Sequence, residues 1–268
     1  MYKRQPEDPH ECFEHAAAAL DLADRLQTPI FVMSDLDIAM NQRLCKPFEW
    51  DDSRCFDRGK VMSAQDLEAG RSFGRYKDVD GDGIPWRTLP GTHPSKGAFF
   101  TRGTTRDPYA RYSERGSDYM YNMERLLRKF QTAAALVPQP VLRPARRPSR
   151  EGVIYFGSTS PAMSEALDVL ESEGVELDAL RLRAFPFPDS VAEFFEAHER
   201  VFVVEQNRDA QMHALLVNEL GIDPARMMKV LHYDGTPITA RFIAGAIRKA
   251  LSRTTTLPRP EPLTQALT

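Results

Sequence analysis

The chain has 268 residues, 42% of them hydrophobic and 27% charged, with a formal net charge of -3, which fits one large or two small globular domains. The balanced charge gives no reason to expect nucleic acid or an anionic membrane as partner, no apolar run is as long as a membrane span, and no signal peptide opens the polar N-terminus, so a cytoplasmic location is expected. Cys12, Cys45 and Cys55 form no C-x-x-C pair, which argues against a metal or iron–sulfur site made by this chain alone and against a disulfide scaffold.

The opening Met1-Tyr2-Lys3-Arg4-Gln5 matches the translation of a transposase adapter used in sequencing libraries, read with a GTG start. These residues are therefore expected to be non-native, with the frame continuing upstream; the alternative is an ordinary polar start. Residues 11–27 place Phe13, Ala16, Ala17, Leu20, Ala23 and Leu26 at helical spacing, and Thr28-Pro29 breaks the helix. Residues 30–33 read as a short buried strand. Ser34, Asp35 and Asp37 follow at its carboxyl end, where open α/β sheets place ligands, and Asn41 lies just beyond. A helix and one strand look like half of a sheet domain.

Residues 42–117 are irregular and read as an extended arm that packs on a missing half or on a partner. Within it, Asp78, Asp80 and Asp82 resemble the start of a calcium loop, but Leu89 stands at the twelfth position, so a plain turn is the better reading. The stretch from Arg87 to Thr104 is dense in turn formers and hydrogen-bonding groups, and such loops line sites; His93, Lys96 and Arg102 are its candidates. It holds no serine–histidine–acid or paired-carboxylate arrangement that identifies a reaction. Tyr119, Met123, Leu126, Leu127 and Phe130 then form one helical face, with Glu124 and Arg128 spaced for an i,i+4 pair. Residues 137–150 carry four prolines and four arginines and read as an extended linker, the best domain boundary in the chain. Its arginines are either solvated or available to grip a phosphate.

After the linker, strands over 152–156, 177–185, 200–205 and 228–233 alternate with helices over 161–173, 189–197, 209–220 and 237–251. Ser190 and Glu193 are spaced as a capping box. The alternation predicts a parallel sheet covered on both faces. The proline-rich residues after 252 read as a disordered tail. The carboxyl ends of the strands share one edge, a ligand crevice or docking edge. Ser158 and Thr159 precede a helix and offer backbone donors to a phosphate, against plain capping by Ser160. Glu205, Asn207 and Arg208 follow a very apolar strand, where a carboxylate binds a partner group or satisfies backbone donors. His232 is a general-base candidate without a second residue placed beside it, so a structural histidine is favoured.

Several strings, taken in order, resemble the alpha subunit of 2-oxoacid:ferredoxin oxidoreductases, of the 2-oxoglutarate type. They run from Phe31 through Asp35-Leu36-Asp37 to Asn41, through Gly83-Ile84-Pro85-Trp86-Arg87-Thr88-Leu89-Pro90-Gly91-Thr92-His93-Pro94, and along the helix over 119–130. They continue in Tyr155-Phe156-Gly157-Ser158-Thr159, Arg183-Ala184-Phe185-Pro186, Glu205-Gln206-Asn207-Arg208-Asp209 and His232-Tyr233-Asp234-Gly235. The resemblance covers about residues 9–251.

It implies an α/β carboxy-terminal fragment. A remnant of a thiamine pyrimidine-binding domain with the arm would span 1–136, and a transketolase carboxy-terminal-like parallel α/β domain 151–252. The linker at 137–150 would join them, and 253–268 would be the tail. The implied activity is oxidative decarboxylation of a 2-oxoacid with CoA and reduction of ferredoxin. The implied cofactors are thiamine diphosphate, Mg²⁺ and a [4Fe-4S] cluster, held mainly by a beta subunit or by upstream segments. The family's catalytic carboxylate and 2-oxoacid loop lie upstream of these strings, so no catalytic or metal residue is carried over. Where many members read Gly-His-Asp-Glu, this chain has Thr105-Arg106-Asp107-Pro108, which puts the 2-oxoglutarate assignment in doubt. The competing reading is a complete, non-catalytic assembly or ligand-binding module.

Overall fold

A computed structural model describes residues 2–255. In chain order the elements are β1 (Tyr2–Arg4), α1 (Pro9–Leu26), β2 (Ile30–Val32), α2 (Leu36–Ala39), α3 (Ala64–Glu68), α4 (Gly116–Leu136), β3 (Val141–Arg143), β4 (Glu151–Phe156), α5 (Ser160–Ser172), β5 (Asp178–Leu182), β6 (Ala184–Phe185), α6 (Asp189–Ala197), β7 (Arg200–Glu205), α7 (Gln211–Leu220), β8 (Met227–Leu231) and α8 (Ala240–Thr255). They divide into two units. The first holds the described residues up to Gln139 together with Arg183–Asp189; the second holds Pro140–Leu182 and the described residues from Ser190 onward.

In the first unit, Asp8 caps α1 by accepting the Glu11 N–H at 2.7 Å, and Pro9 fills the first turn, where its missing N–H costs nothing. Leu22 and Leu26 then pack with Ile84, Ala133, Val137 and Ala184 in a small core. Three short strands form a mixed sheet in the order β2-β1-β6, with β1 parallel to β2 and antiparallel to β6. Tyr2–Arg4, read as adapter-derived, is thus the central strand. The expected burial of residues 30–33 is not found: Phe31 and Met33 are exposed, because β2 is a sheet edge and pairs with β1 alone. The expected strand over 177–185 breaks at Arg183; Ala184 enters this unit's core and Phe185 packs edge-on against Phe130 and Phe187.

The irregular stretch expected over 42–117 as an arm packed on a missing half or a partner ends where α4 begins at Gly116, and it folds back on its own unit. Arg58 binds Asp24 at 2.8 Å, Arg87 binds Asp24 at 3.1 Å, and Met62, Leu67 and Ile84 are buried. An irregular chain leaves carbonyls without ladder partners, and buried ones need donors. Helix α4 supplies them. Asn122 donates to the Arg106 carbonyl at 2.7 Å, Arg125 to Gly83 at 3.0 Å, Lys129 to Leu26 at 3.1 Å and Thr132 to Asp82 at 2.7 Å. The helix is therefore inside out. Arg125 and Lys129 are 5% and 7% exposed, whereas Tyr119 and Leu127 on the apolar face are 52% and 65% exposed. Arg128 pairs with Asp78 at 3.1 Å in place of the expected Glu124. Gly83 has φ +77, and a Cβ there would lie 2.3 Å from the Lys129 nitrogen, so only glycine lets the loop approach α4 this closely.

In the second unit five strands pair in the order β3-β5-β4-β7-β8. All neighbours are parallel except β3, an antiparallel edge strand made by residues 141–143 of the expected linker. Val153, Ile154, Phe202, Val203 and Val204 are completely buried or nearly so, as strands covered on both faces must be. Met163 and Leu170 of α5 and Ile243 and Ile247 of α8 close one core with β4 and β7. Three of the four linker arginines make ion pairs: Arg143 with Asp168 at 2.6 Å, Arg146 with Glu171 at 2.5 Å and Arg150 with Glu199 at 3.0 Å. Helix α6 begins at Asp189, so Ser190 sits inside its first turn and not at the cap that the Ser190–Glu193 spacing suggested. The proline-rich stretch read as a tail falls mostly outside the described residues; α8 itself runs to Thr255. Among the described residues no helix is long and apolar enough to cross a membrane.

Candidate functional site

The carboxyl edge of the five-stranded sheet gathers several of the expected residues into one network. Gln206 donates to the Ser158 hydroxyl at 3.0 Å and to the Thr159 hydroxyl at 3.1 Å, bridging β7 to β4. Glu205 is fully buried. One oxygen accepts the His213 N–H at 2.9 Å; the other accepts the Met212 N–H at 2.7 Å and the Asn207 amide at 2.8 Å. The carboxylate therefore neutralises the start of α7, where backbone donors are unpaired and the helix dipole is positive. The His232 N–H donates to the Glu205 carbonyl at 2.9 Å, joining β8 to the network. The His232 ring puts Nε2 2.9 Å from the Thr236 carbonyl, a contact that needs a proton on that nitrogen. Arg208 pairs with its neighbour Asp209 at 2.7 Å on the surface.

In the first unit the candidates remain dispersed. Asp35 caps α2 through the Ile38 N–H at 3.1 Å, Asp37 lies in the first turn, and Ser34 and Asn41 are exposed. His93 Nδ1 accepts the backbone N–H groups of Ser95 and Lys96 at 3.1 and 3.0 Å, pinning a loop whose residues 88–93 and 96–99 line a cavity of about 300 Å³. Lys96 reaches the Leu67 carbonyl at 3.3 Å, and Arg102 lies over the Tyr112 ring at 5.7 Å. The acidic turn is already occupied by a cation. Lys60 Nζ lies 2.6 Å from Asp80 and 2.8 Å from Asp82, and these bonds outweigh burial and raise the Lys60 pKa.

A second cavity, of about 310 Å³, opens beside α4. Arg75, Arg106, Arg125 and Lys129 line it, with Tyr76 among them and Met123 and Leu126 as an apolar wall; no carboxylate lines it. Arg106 donates to the Tyr76 hydroxyl at 3.0 Å, and the guanidinium groups of Arg75, Arg106 and Arg125 lie 5.3, 5.1 and 5.8 Å from the Tyr76 ring centre. Burial, helped by the charges of Arg125 and Arg75, pulls the Lys129 pKa down to about 8. Burial also lowers Arg75 and Arg125. These cations were not singled out from the sequence. A polar row 122–125–129 opposite an apolar row is ordinarily the solvated face of a helix. The available signal was the Arg and Gly content of the arm.

No protein-family model matches the chain. A 2-oxoacid:ferredoxin oxidoreductase 2 subunit alpha of Aeropyrum pernix is 28% identical over 246 residues, covering 90% of this chain and 37% of that protein. A corresponding subunit alpha of Sulfurisphaera tokodaii is 26% identical over 249 residues, covering 91% and 38%. The chain's relatives are alpha subunits of 2-oxoacid:ferredoxin oxidoreductases. It spans somewhat more than a third of their length. Among solved structures, a 2-oxoglutarate:ferredoxin oxidoreductase from Magnetococcus marinus, with 2-oxoglutarate, coenzyme A and succinyl-CoA bound, superposes with a TM-score of 0.72. The match covers 92% of this chain and 42% of that one at 18% identity, which shows a shared fold.

The described residues of this alpha-subunit relative do not fit a metal or cluster. No group of three His, Cys, Asp or Glu among them is placed to hold an ion, and Cys12, Cys45 and Cys55 are all free.

Proposed function

We propose that the chain is part of the alpha subunit of a 2-oxoacid:ferredoxin oxidoreductase that converts a 2-oxoacid and CoA to acyl-CoA and CO₂ while reducing ferredoxin. The observation that carries this is similarity to such alpha subunits along nine-tenths of the chain. 2-Oxoglutarate is the proposed substrate, supported by the Magnetococcus fold match. Thiamine diphosphate would supply the electron sink that decarboxylation requires. It, Mg²⁺ and the [4Fe-4S] cluster are assigned to the beta subunit and to other segments of the complex; among the described residues no group of three His, Cys, Asp or Glu is placed to hold an ion. This chain then contributes packing and binding surface, and alone it is inactive.

The exposed apolar rows support a role in assembly. Tyr119, Met120 and Leu127 on α4, and Phe31, Met33 and Leu36 around the end of β2, are large hydrophobic groups open to solvent. A beta subunit or another part of the alpha subunit is their proposed cover. Titration calorimetry of thiamine diphosphate with Mg²⁺ into the isolated chain tests the assignment. No saturable heat is expected, and tight binding would overturn it. In the assembled complex, viologen reduction should depend on CoA and favour 2-oxoglutarate over pyruvate.

A further inference from the structure

We infer that the cavity beside α4 is a binding site for a small organic anion carrying at least two phosphate or carboxylate charges. Three observations converge. Four cations line the cavity and no carboxylate does. None of the four makes an ion pair among the described residues; Asp78, whose charge reaches Arg125, is held by Arg128 at 3.1 Å. A charge taken out of water without a partner is costly, so burial of Arg125 and Lys129 in this setting calls for an anion.

Donors are also left over. Arg75 makes no hydrogen bond among the described residues and only rests against the Tyr76 and Phe99 rings, at 5.3 and 5.8 Å. The Arg125 Nε is buried without an acceptor, although one arm of the same guanidinium is fixed by the Gly83 carbonyl at 3.0 Å. A guanidinium held at one end with its remaining N–H groups unpaired is preorganised for a phosphate or carboxylate oxygen. The volume of about 310 Å³ lies at the small end of ligand pockets, and Met123 and Leu126 give the wall an apolar side for a carbon skeleton. The site rests on the first unit's own charges and stands apart from the oxidoreductase reading, so the two fail separately.

Titration calorimetry on the full chain at pH 7 and low salt tests the site, with pyrophosphate as the phosphate probe and citrate as the carboxylate probe. At least one should bind saturably at one site per chain. Binding of pyrophosphate alone assigns phosphate groups, and of citrate alone carboxylates. Arg75→Gln should weaken binding about tenfold or more, the worth of one charge-assisted hydrogen bond. Because the Arg75 side chain holds no hydrogen bond, this variant should melt like the parent. Lys129→Met should weaken binding similarly, though it also removes the Leu26 contact, so Arg75→Gln decides the matter if Lys129→Met does not fold. Heat from neither probe, or binding unchanged by Arg75→Gln, would overturn the proposal.

Discussion

The two units solve the same problem in opposite ways. In the second, apolar side chains fill a five-stranded sheet and Glu205, the one fully buried carboxylate among the described residues, accepts three N–H donors. In the first, short strands and a long irregular segment leave many carbonyls to satisfy, and α4 turns its charged face inward to do so. Tyr119 and Leu127 of its apolar face are then left to solvent. A unit that buries cations and exposes hydrophobic groups gains from a partner and an anion.

The contrast breaks most visibly at Glu205. Glu205→Ala strands the Met212 and His213 N–H groups in the core, and should cost about 3 kcal/mol or more in a denaturant melt. Glu205→Gln keeps one acceptor and should cost less.

Lys129 tests the opposite logic by pH. Its pKa in the fold is about 8 against an ordinary lysine value of 10.5, so between those values the unfolded chain holds the proton more tightly. The penalty for burying the ammonium is complete below pH 8 and is relieved as pH rises to 10.5. The first unit should therefore gain stability across that window, by at most about 3 kcal/mol and less where water reaches the ammonium. In Lys129→Met this rise should vanish from the pH dependence of the melt.

Arg4 sharpens the same point. It is buried at the centre of the small sheet with Nε unsatisfied, and burial together with the Arg183 charge lowers its pKa to about 10. Arg4→Met should raise stability by about 1–2 kcal/mol, because an apolar group of similar length removes an uncompensated charge. The smallest effect belongs to the exposed row on α4. Leu127→Gln should change the unfolding free energy by less than about 0.5 kcal/mol in the isolated chain, yet weaken assembly with a beta subunit in pull-down titrations.

The same contrast explains what the sequence made legible. In the second unit, β-branched runs such as Val201-Phe202-Val203-Val204 and the stop at Gly221 obey local rules, so its alternation of strands and helices was readable. The network of Ser158, Thr159, Glu205, Asn207 and His232 followed from their common place at strand ends. What Glu205 does there was not readable, since carboxylates that cap and carboxylates that bind look alike in sequence. In the first unit periodicity pointed the wrong way. The apolar row Tyr119–Met123–Leu126 stays partly exposed while the row Asn122–Arg125–Lys129 is buried, because the irregular segment demanded donors and not hydrophobic area. The cation cavity was illegible for the same reason, and because Arg75, Arg106 and Arg125 meet only through long-range packing.

Amide hydrogen exchange on the full chain, read in both units at once, tests this contrast most directly. The amides of β4, β5 and β7 should exchange only through global opening, orders of magnitude more slowly than those of β1, β2 and the outer turns of α4. Equal protection in the two units would contradict a first unit built to be completed by a partner.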